Sequence, residues 1–209
     1  MFRKYFNSIE LKGLLLFFRE IFQNPSAVGA VVPSSKHLAK NLANHVLPYS
    51  GDEGLIIELG AGTGVVTDAL LKQGISPEKI IVVERSEAFA EHLQKRYPKI
   101  KIIHGDAMQL KQLIGNNTNK INTIVSSLPL RSLPESTVKA IVEQLKLVLK
   151  PGDLFIQYTY SFAPSSAVLI SNFDLISTKR IWINIPPARI EVYIIPGQRH
   201  CHSERGEES

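Results

Sequence analysis

Three glycines and three acids carry most of the chemistry that can be read from this chain of 209 residues. In ELGAGTG, residues 58–64, Gly60, Gly62 and Gly64 alternate at the end of the apolar run LIIEL. Glycine at such positions lets the backbone turn tightly and lets a ligand pass close over it. Glu58 precedes the turn, Glu84 closes a second apolar run, and Asp106 follows a third. A carboxylate at a strand end is an acceptor suited to paired O–H donors.

These residues need a scaffold that delivers them to one edge. From Leu55 onward the sequence alternates short β-rich runs with helical patterns. The strands are expected at 55–59, 79–84, 100–104, 121–126, 153–160, 175–183 and 190–195. Helical periodicity falls at 67–73, 86–96, 107–113 and 135–149, with a stop at KPGD. GNNTNK, 115–120, reads as a polar turn. Strand and helix in alternation predict an α/β fold, a mostly parallel sheet with helices on both faces. Only NIPPA separates the last two runs, which predicts an antiparallel hairpin at the sheet edge. The glycine turn then lies at the carboxyl edge, where open α/β sheets bind ligands. Its spacing is G-x-G-x-G, with Val65 where a dinucleotide fingerprint has its third glycine, which argues against a nicotinamide cofactor.

ELGAGTG resembles the first motif of the Rossmann-like S-adenosylmethionine-dependent methyltransferases. That resemblance implies a seven-stranded sheet ending in an antiparallel hairpin and S-adenosylmethionine as cofactor. It implies a cofactor site made of Glu58, Gly60, Ala61, Gly62, Gly64, Glu84, Asp106, Ala107 and Met108. Glu84 would take the ribose hydroxyls and Asp106 the adenine amino group, with the backbone of Ala107 and Met108 beside the ring. Glu58 would order the loop or meet the methionine end through water.

The fourth strand runs into SSLPLRSLPE. Amino-directed nucleic-acid methyltransferases often carry a polar residue, two prolines and an aromatic here; this chain has Ser126, Ser127, Leu128, Pro129 and Leu130. The missing aromatic argues against a flipped base as substrate. The stretch is similar instead to that of bacterial phospholipid N-methyltransferases, which convert phosphatidylethanolamine towards phosphatidylcholine. So are residues 17–35, 155–162 and 182–193. The activity implied is N-methylation of a phospholipid headgroup. Tyr158 and Tyr160 are candidates to face the nitrogen as it gains positive charge, and Ser126 is a catalytic candidate through the backbone carbonyl near it. Arg189 and Arg131 are candidates to hold the lipid phosphate. Ser34 and Ser35 read as caps of a helix starting at Lys36.

The first 24 residues fit a lipid surface. At about 100° per residue, Phe2, Tyr5, Phe6, Ile9 and Leu16 share one helix face, and Leu11, Leu14, Leu15, Phe18, Ile21 and Phe22 share the opposite one. Lys12 and Arg19 lie on a seam between them, as in a helix at an anionic membrane surface. Two short buried helices broken at Gly13 are the alternative. No apolar run approaches the ~18 residues of a membrane span. The formal charge is +5, and the last fourteen residues, with two arginines and three glutamates, make the rest more basic still. A single cysteine, Cys201, argues against a disulfide framework and fits a reducing compartment. His200, Cys201 and His202 are too close in sequence to converge on one ion, so no metal is expected. The expected organisation is N-terminal helices over 1–50, a methyltransferase domain over 51–195 and a solvated tail over 196–209. The expected location is cytoplasmic, peripheral to the inner face of the membrane.

Overall fold

The computed structural model describes residues 41, 42, 46, 54–131, 133–159, 166–181 and 188–197. The N-terminal helix, Ser34 and Ser35, Tyr160, the NIPP residues and the Cys201 segment lie outside them. The strands are β1 (Leu55–Leu59), β2 (Ile80–Glu84), β3 (Lys101–His104), β4 (Ile121–Ser126), β5 (Leu154–Thr159), β6 (Asp174–Ile181) and β7 (Ala188–Ile194). They form one sheet in the order β3-β2-β1-β4-β5-β7-β6. Pairing is parallel from β3 to β5. It is antiparallel for β5 with β7 and for β7 with β6. The α/β fold, the strand count and the terminal hairpin agree with the sequence expectation.

Helices cross between the strands: α1 (Val65–Lys72), α2 (Glu87–Arg96), α3 (Leu110–Ile114), α4 (Glu135–Val148) and α5 (Ala167–Asn172). Two expectations need correction. GNNTNK is a 3₁₀ helix rather than a polar turn. Between β5 and β6, α5 was not expected at all: it is only six residues long and its apolar positions run straight into the next strand.

The core has two layers, one on each face of the sheet. Ile56, Ile80, Val82, Val125, Ile156 and Val192 belong to one cluster with α1 and α2. Ile57, Ile81, Val83, Ile124, Phe155 and Tyr193 belong to the other, against α3, α4 and α5. Alternate residues of a strand point to opposite faces, so a strand covered on both sides must be apolar almost throughout, as β2 is. Leu42 and Val46, both helical and fully buried, join the first cluster. Helix α4 shows the other periodicity, with Val138, Ile141, Val142, Leu145 and Val148 buried on one stripe. Each such side chain contributes about 1.5–3 kcal/mol on leaving water. Pro134 and Glu135 start α4, and Gly152, at φ +92°, turns the chain after it.

Candidate active site

The carboxyl ends of β1 to β4 meet at the point where strand order reverses, between β1 and β4. Backbone hydrogen bonds carry the sheet one residue beyond its strands. The Gly60 amide donates to Val83, the Ser127 amide to Leu59 and the Gly105 amide to Glu84, at 2.9–3.0 Å. The three loops bearing the candidate residues are therefore fixed to one another before any ligand arrives.

The glycine turn runs through positive φ at Gly60, Gly62 and Gly64, but its glycines answer to different neighbours. A Cβ on Gly64 would lie 2.8 Å from Leu93 and 2.9 Å from the Tyr97 ring, so this glycine is required by packing against α2. A Cβ on Gly62 meets nothing within 4 Å. It would project into the open space over the turn, where a ligand needs close approach to the backbone. Gly60 is constrained in the same way as Gly64, since a Cβ there would lie 2.8 Å from Leu128, so packing alone already requires two of the three glycines.

Glu84 is 2% exposed and holds the turn from β2. Its Oε2 accepts from the Gly62 amide at 2.9 Å, and its Oε1 from the Ser86 amide at 2.8 Å. Each oxygen keeps a second lone pair, the capacity a pair of hydroxyls would use. Ser86 in turn caps α2, its Oγ accepting from the Phe89 amide.

Glu58 is fully buried, and Oε2 accepts from the Thr67 hydroxyl at 2.7 Å while Oε1 has no partner. Burial, opposed by the Thr67 hydrogen bond and reinforced by the charge of Glu84, pushes its pKa up to about 7. The hydrogen bond ties the end of β1 to α1 across the glycine turn.

Asp106 begins the 3₁₀ turn after β3, its Oδ1 accepting from the Met108 amide at 2.9 Å. Ala107 is buried and Met108 exposed beside it. A cavity of about 380 Å³ opens here, lined by Gly60, Val83, Ser86, Asp106, Ala107, Leu128, Pro129, Leu133, Thr137 and Ile141 among others. Apolar walls with a few polar groups at the margin are what a cofactor with a flat ring and a ribose needs. Ala61, half-buried, continues the turn.

The substrate candidates divide between the two faces of the sheet. Ser126 is fully buried and its Oγ accepts from the Leu128 amide at 3.3 Å, so the side chain shapes the loop after β4. Tyr158 is half-buried against the α1 and α2 face. Arg189, in register with Thr159 of β5, is on the opposite face. It is 5% exposed, which excludes a solvated hairpin residue, and its Nη2 lies 2.7 Å from Glu191 Oε1. Arg131 is half-exposed; desolvation, then the charge of Arg189, lowers its pKa.

Sequence reasoning missed the residues that hold the turn from α2. The Tyr97 hydroxyl donates to Asp68 Oδ1 at 2.6 Å and lies 3.1 Å from the Gly64 carbonyl. Arg96 Nη1 donates to the Thr63 carbonyl at 2.9 Å, and its Nη2 pairs with Asp68. Burial and the Asp68 hydrogen bond raise the Tyr97 pKa far above the ordinary phenol value, so it stays a donor. The cavity walls Leu133 and Thr137 were also missed. Leu133 precedes α4 and Thr137 lies in its first turn, and the period of that helix announced only a core helix.

Residues 56–152 match the protein family described as "Methyltransferase domain". Among curated proteins, the chain is 28% identical over 153 residues to an ornithine lipid N-methyltransferase of Singulisphaera acidiphila, covering 71% of this chain and 79% of that one. It is also 28% identical over 146 residues to a probable ribosomal RNA small subunit methyltransferase A of Methanococcus aeolicus. That match covers 68% of this chain but only 48% of the relative, so this chain spans about half of that protein's length. Among solved structures, the N-methyltransferase NodS of Bradyrhizobium japonicum, in complex with S-adenosyl-L-homocysteine, superimposes with a TM-score of 0.66 at 13% identity over 80% of this chain and 90% of its own. A 1,6-didemethyltoxoflavin-N1-methyltransferase of Burkholderia thailandensis gives 0.65 at 12% identity over 93% of this chain and 90% of its own. Over residues 56–152 the chain is thus similar to a methyltransferase domain, and its fold is that of methyltransferases solved with S-adenosyl-L-homocysteine, the demethylated form of S-adenosylmethionine.

Proposed function

We propose that this protein N-methylates the amine headgroup of a membrane lipid, taking phosphatidylethanolamine towards phosphatidylcholine. The observation that carries this reading is the reach of the match to the lipid N-methyltransferase, which extends over most of both chains, well beyond the cofactor motifs. The cofactor, when bound, supplies an electrophilic methyl group on a sulfonium. The residues of this chain then have a task of placement. Gly60 to Gly64 and Glu84 fix the cofactor edge, Asp106 and Ala107 fix the far end of the cavity, and the Ser126–Pro129 loop, next to β1, presents the amine. Such positioning supplies much of the rate in a displacement of this kind. Tyr158, and Tyr160 beyond the described residues, are the aromatic faces for the nitrogen as its charge grows.

Approach to the lipid is assigned to residues 1–24, which also lie outside the described residues. Among the described residues no helix is long and apolar enough to cross a membrane. Reversible attachment through Lys12 and Arg19 is the proposed mode. Sedimentation with acidic vesicles should be lost on changing both to glutamate, and sedimentation unaltered by that change would refute it.

A second reading, N6-dimethylation of RNA adenine, is favoured by the ribosomal RNA relatives. Against it stands Leu130, a buried aliphatic residue where a base-stacking aromatic would be needed. Mass spectrometry of lipids extracted after incubation of the protein with S-adenosylmethionine and phosphatidylethanolamine vesicles separates the two. Stepwise methyl increments on phosphatidylethanolamine are the expected result; an unaltered lipid alongside methylated ribosomal RNA would reverse the assignment.

A further inference from the structure

Beside the cavity lies a buried cluster of charged and polar side chains. Strand β7 places Arg189, Glu191 and Tyr193 on one face of the sheet, the face of α4 and of the cavity walls Leu128 and Leu133. Glu191 accepts from the Tyr193 hydroxyl at 2.8 Å and pairs with Arg189. In register with Glu191 is Gln157 of β5, 3% exposed, whose Nε2 donates to the Leu128 carbonyl at 2.9 Å. Leu128 itself lines the cavity, so the cluster is joined to the cofactor site through one residue.

Three details do not suit a purely structural ion pair. Arg189 is buried, yet Nε has no hydrogen-bond partner, and Nη2, although close to Glu191, is not aligned to donate to it. Buried polar groups are normally satisfied, and a guanidinium left with unspent donors is costly. Arg180 of β6 stands directly across from Arg189 in the antiparallel register. Like charges directly opposed in a sheet are destabilising. Arg131, at the end of the loop after β4, lies near enough for the Arg189 charge to act on it. Arg180 across from Arg189, and Arg131 within reach of its charge, thus bring three guanidiniums to the carboxyl edge of the sheet near the Arg189–Glu191 pair. Arg131 and Arg180 reach solvent and Arg189 forms the floor.

We infer that Arg131, Arg180 and Arg189 form an anion-recognition site that reads the negatively charged group carried next to the acceptor amine, Arg189 being oriented by Glu191. The guanidinium fork suits a phosphodiester or a carboxylate. An amine lipid is zwitterionic, with the anion a few bonds from the nitrogen. A site that holds the anion beside the Ser126–Pro129 loop leaves the nitrogen at that loop. This inference rests on the lipid-amine reading and adds what selects the acceptor.

The test compares acceptors of equal chain length in neutral detergent micelles with S-adenosylmethionine. Phosphatidylethanolamine carries a phosphate, an amino-acid lipid carries a free carboxylate, and a simple alkylamine carries neither. The wild-type protein should prefer one or both anion-bearing acceptors over the alkylamine in kcat/KM, and the preferred one identifies the anion. Arg131→Gln and Arg180→Gln, at the solvent rim, should each cut that preference about tenfold or more, mainly through KM, the range for a lost hydrogen bond to a charged group. Arg189→Lys should do the same, provided that it binds S-adenosyl-L-homocysteine as the wild type does. If the rim variants keep the wild-type preference, or if all three acceptors decline in parallel, the arginines are structural and the inference is overturned. If the wild type methylates none of the three, the lipid reading fails, and the site is then judged by calorimetric titration with inorganic phosphate. Phosphate binding lost in Arg131→Gln would uphold an anion site, and no binding would overturn it.

Discussion

The Gly62 amide donates a 2.9 Å hydrogen bond to Oε2 of Glu84, tying the glycine turn after β1 to the acid that ends β2. One carboxylate therefore orders the loop and, in the proposed function, takes the ribose hydroxyls on its remaining lone pairs. Glu84→Ala should weaken S-adenosylmethionine binding by about 1–3 kcal/mol, the range for a polar site left unpaired. Isothermal calorimetry measures this directly, and unaltered affinity would remove Glu84 from the cofactor site.

Gly62 and Gly64 should fail for different reasons. Gly64→Ala combines a left-handed backbone with a clash against Leu93 and Tyr97, so it should cost roughly 2 kcal/mol or more of stability. Gly62→Ala bears only the backbone penalty of about 1–2 kcal/mol, whereas a bulky residue there should abolish cofactor binding in a protein that still folds. Urea denaturation and calorimetry on the two variants check the contrast. Equal losses of stability in both would contradict it.

Glu58 makes stability depend on pH. Its folded pKa, about 7, stands above the ordinary 4.5 because of burial, so between those values the folded state binds more protons than the unfolded state. Stability from this group is complete below about pH 4.5, falls as pH rises towards 7, and is lost above it, by about 3 kcal/mol in all. Glu58→Gln should match the wild type at acidic pH and exceed it at pH 8. Denaturant midpoints across that range give the measurement, and a difference independent of pH would show that Glu58 does not titrate in this window.

Tyr158 separates ring from hydroxyl. Phenylalanine should preserve most of the methyl transfer through its face, and alanine should lose it while cofactor affinity is retained. Steady-state rates with phenylalanine as low as with alanine would replace the cation–π role by one for the hydroxyl.

Legibility in the sequence followed how local each feature is. Strands β1 and β4 fall at the expected residues because each is an apolar run bounded by polar or glycine-rich segments. Glu84 and Asp106 were visible because each stands at the end of such a run. The glycines were visible as a motif, but the reason for Gly64 was not, since Tyr97 reaches it across 33 residues. The same holds for Gln157, whose bond to Leu128 spans 29 residues. Helix α5 was invisible because six residues give too little period to distinguish it from the strand that follows.

The proposed reaction delivers a methyl group from this site to a lipid amine. Its most direct measurement supplies S-adenosylmethionine labelled in the methyl group to the purified protein, with phosphatidylethanolamine vesicles and ribosomal RNA in one incubation, and Glu84→Ala in parallel. Label in the extracted lipid, lost in Glu84→Ala, is the expected result. Label in the RNA, or in neither acceptor, would contradict it.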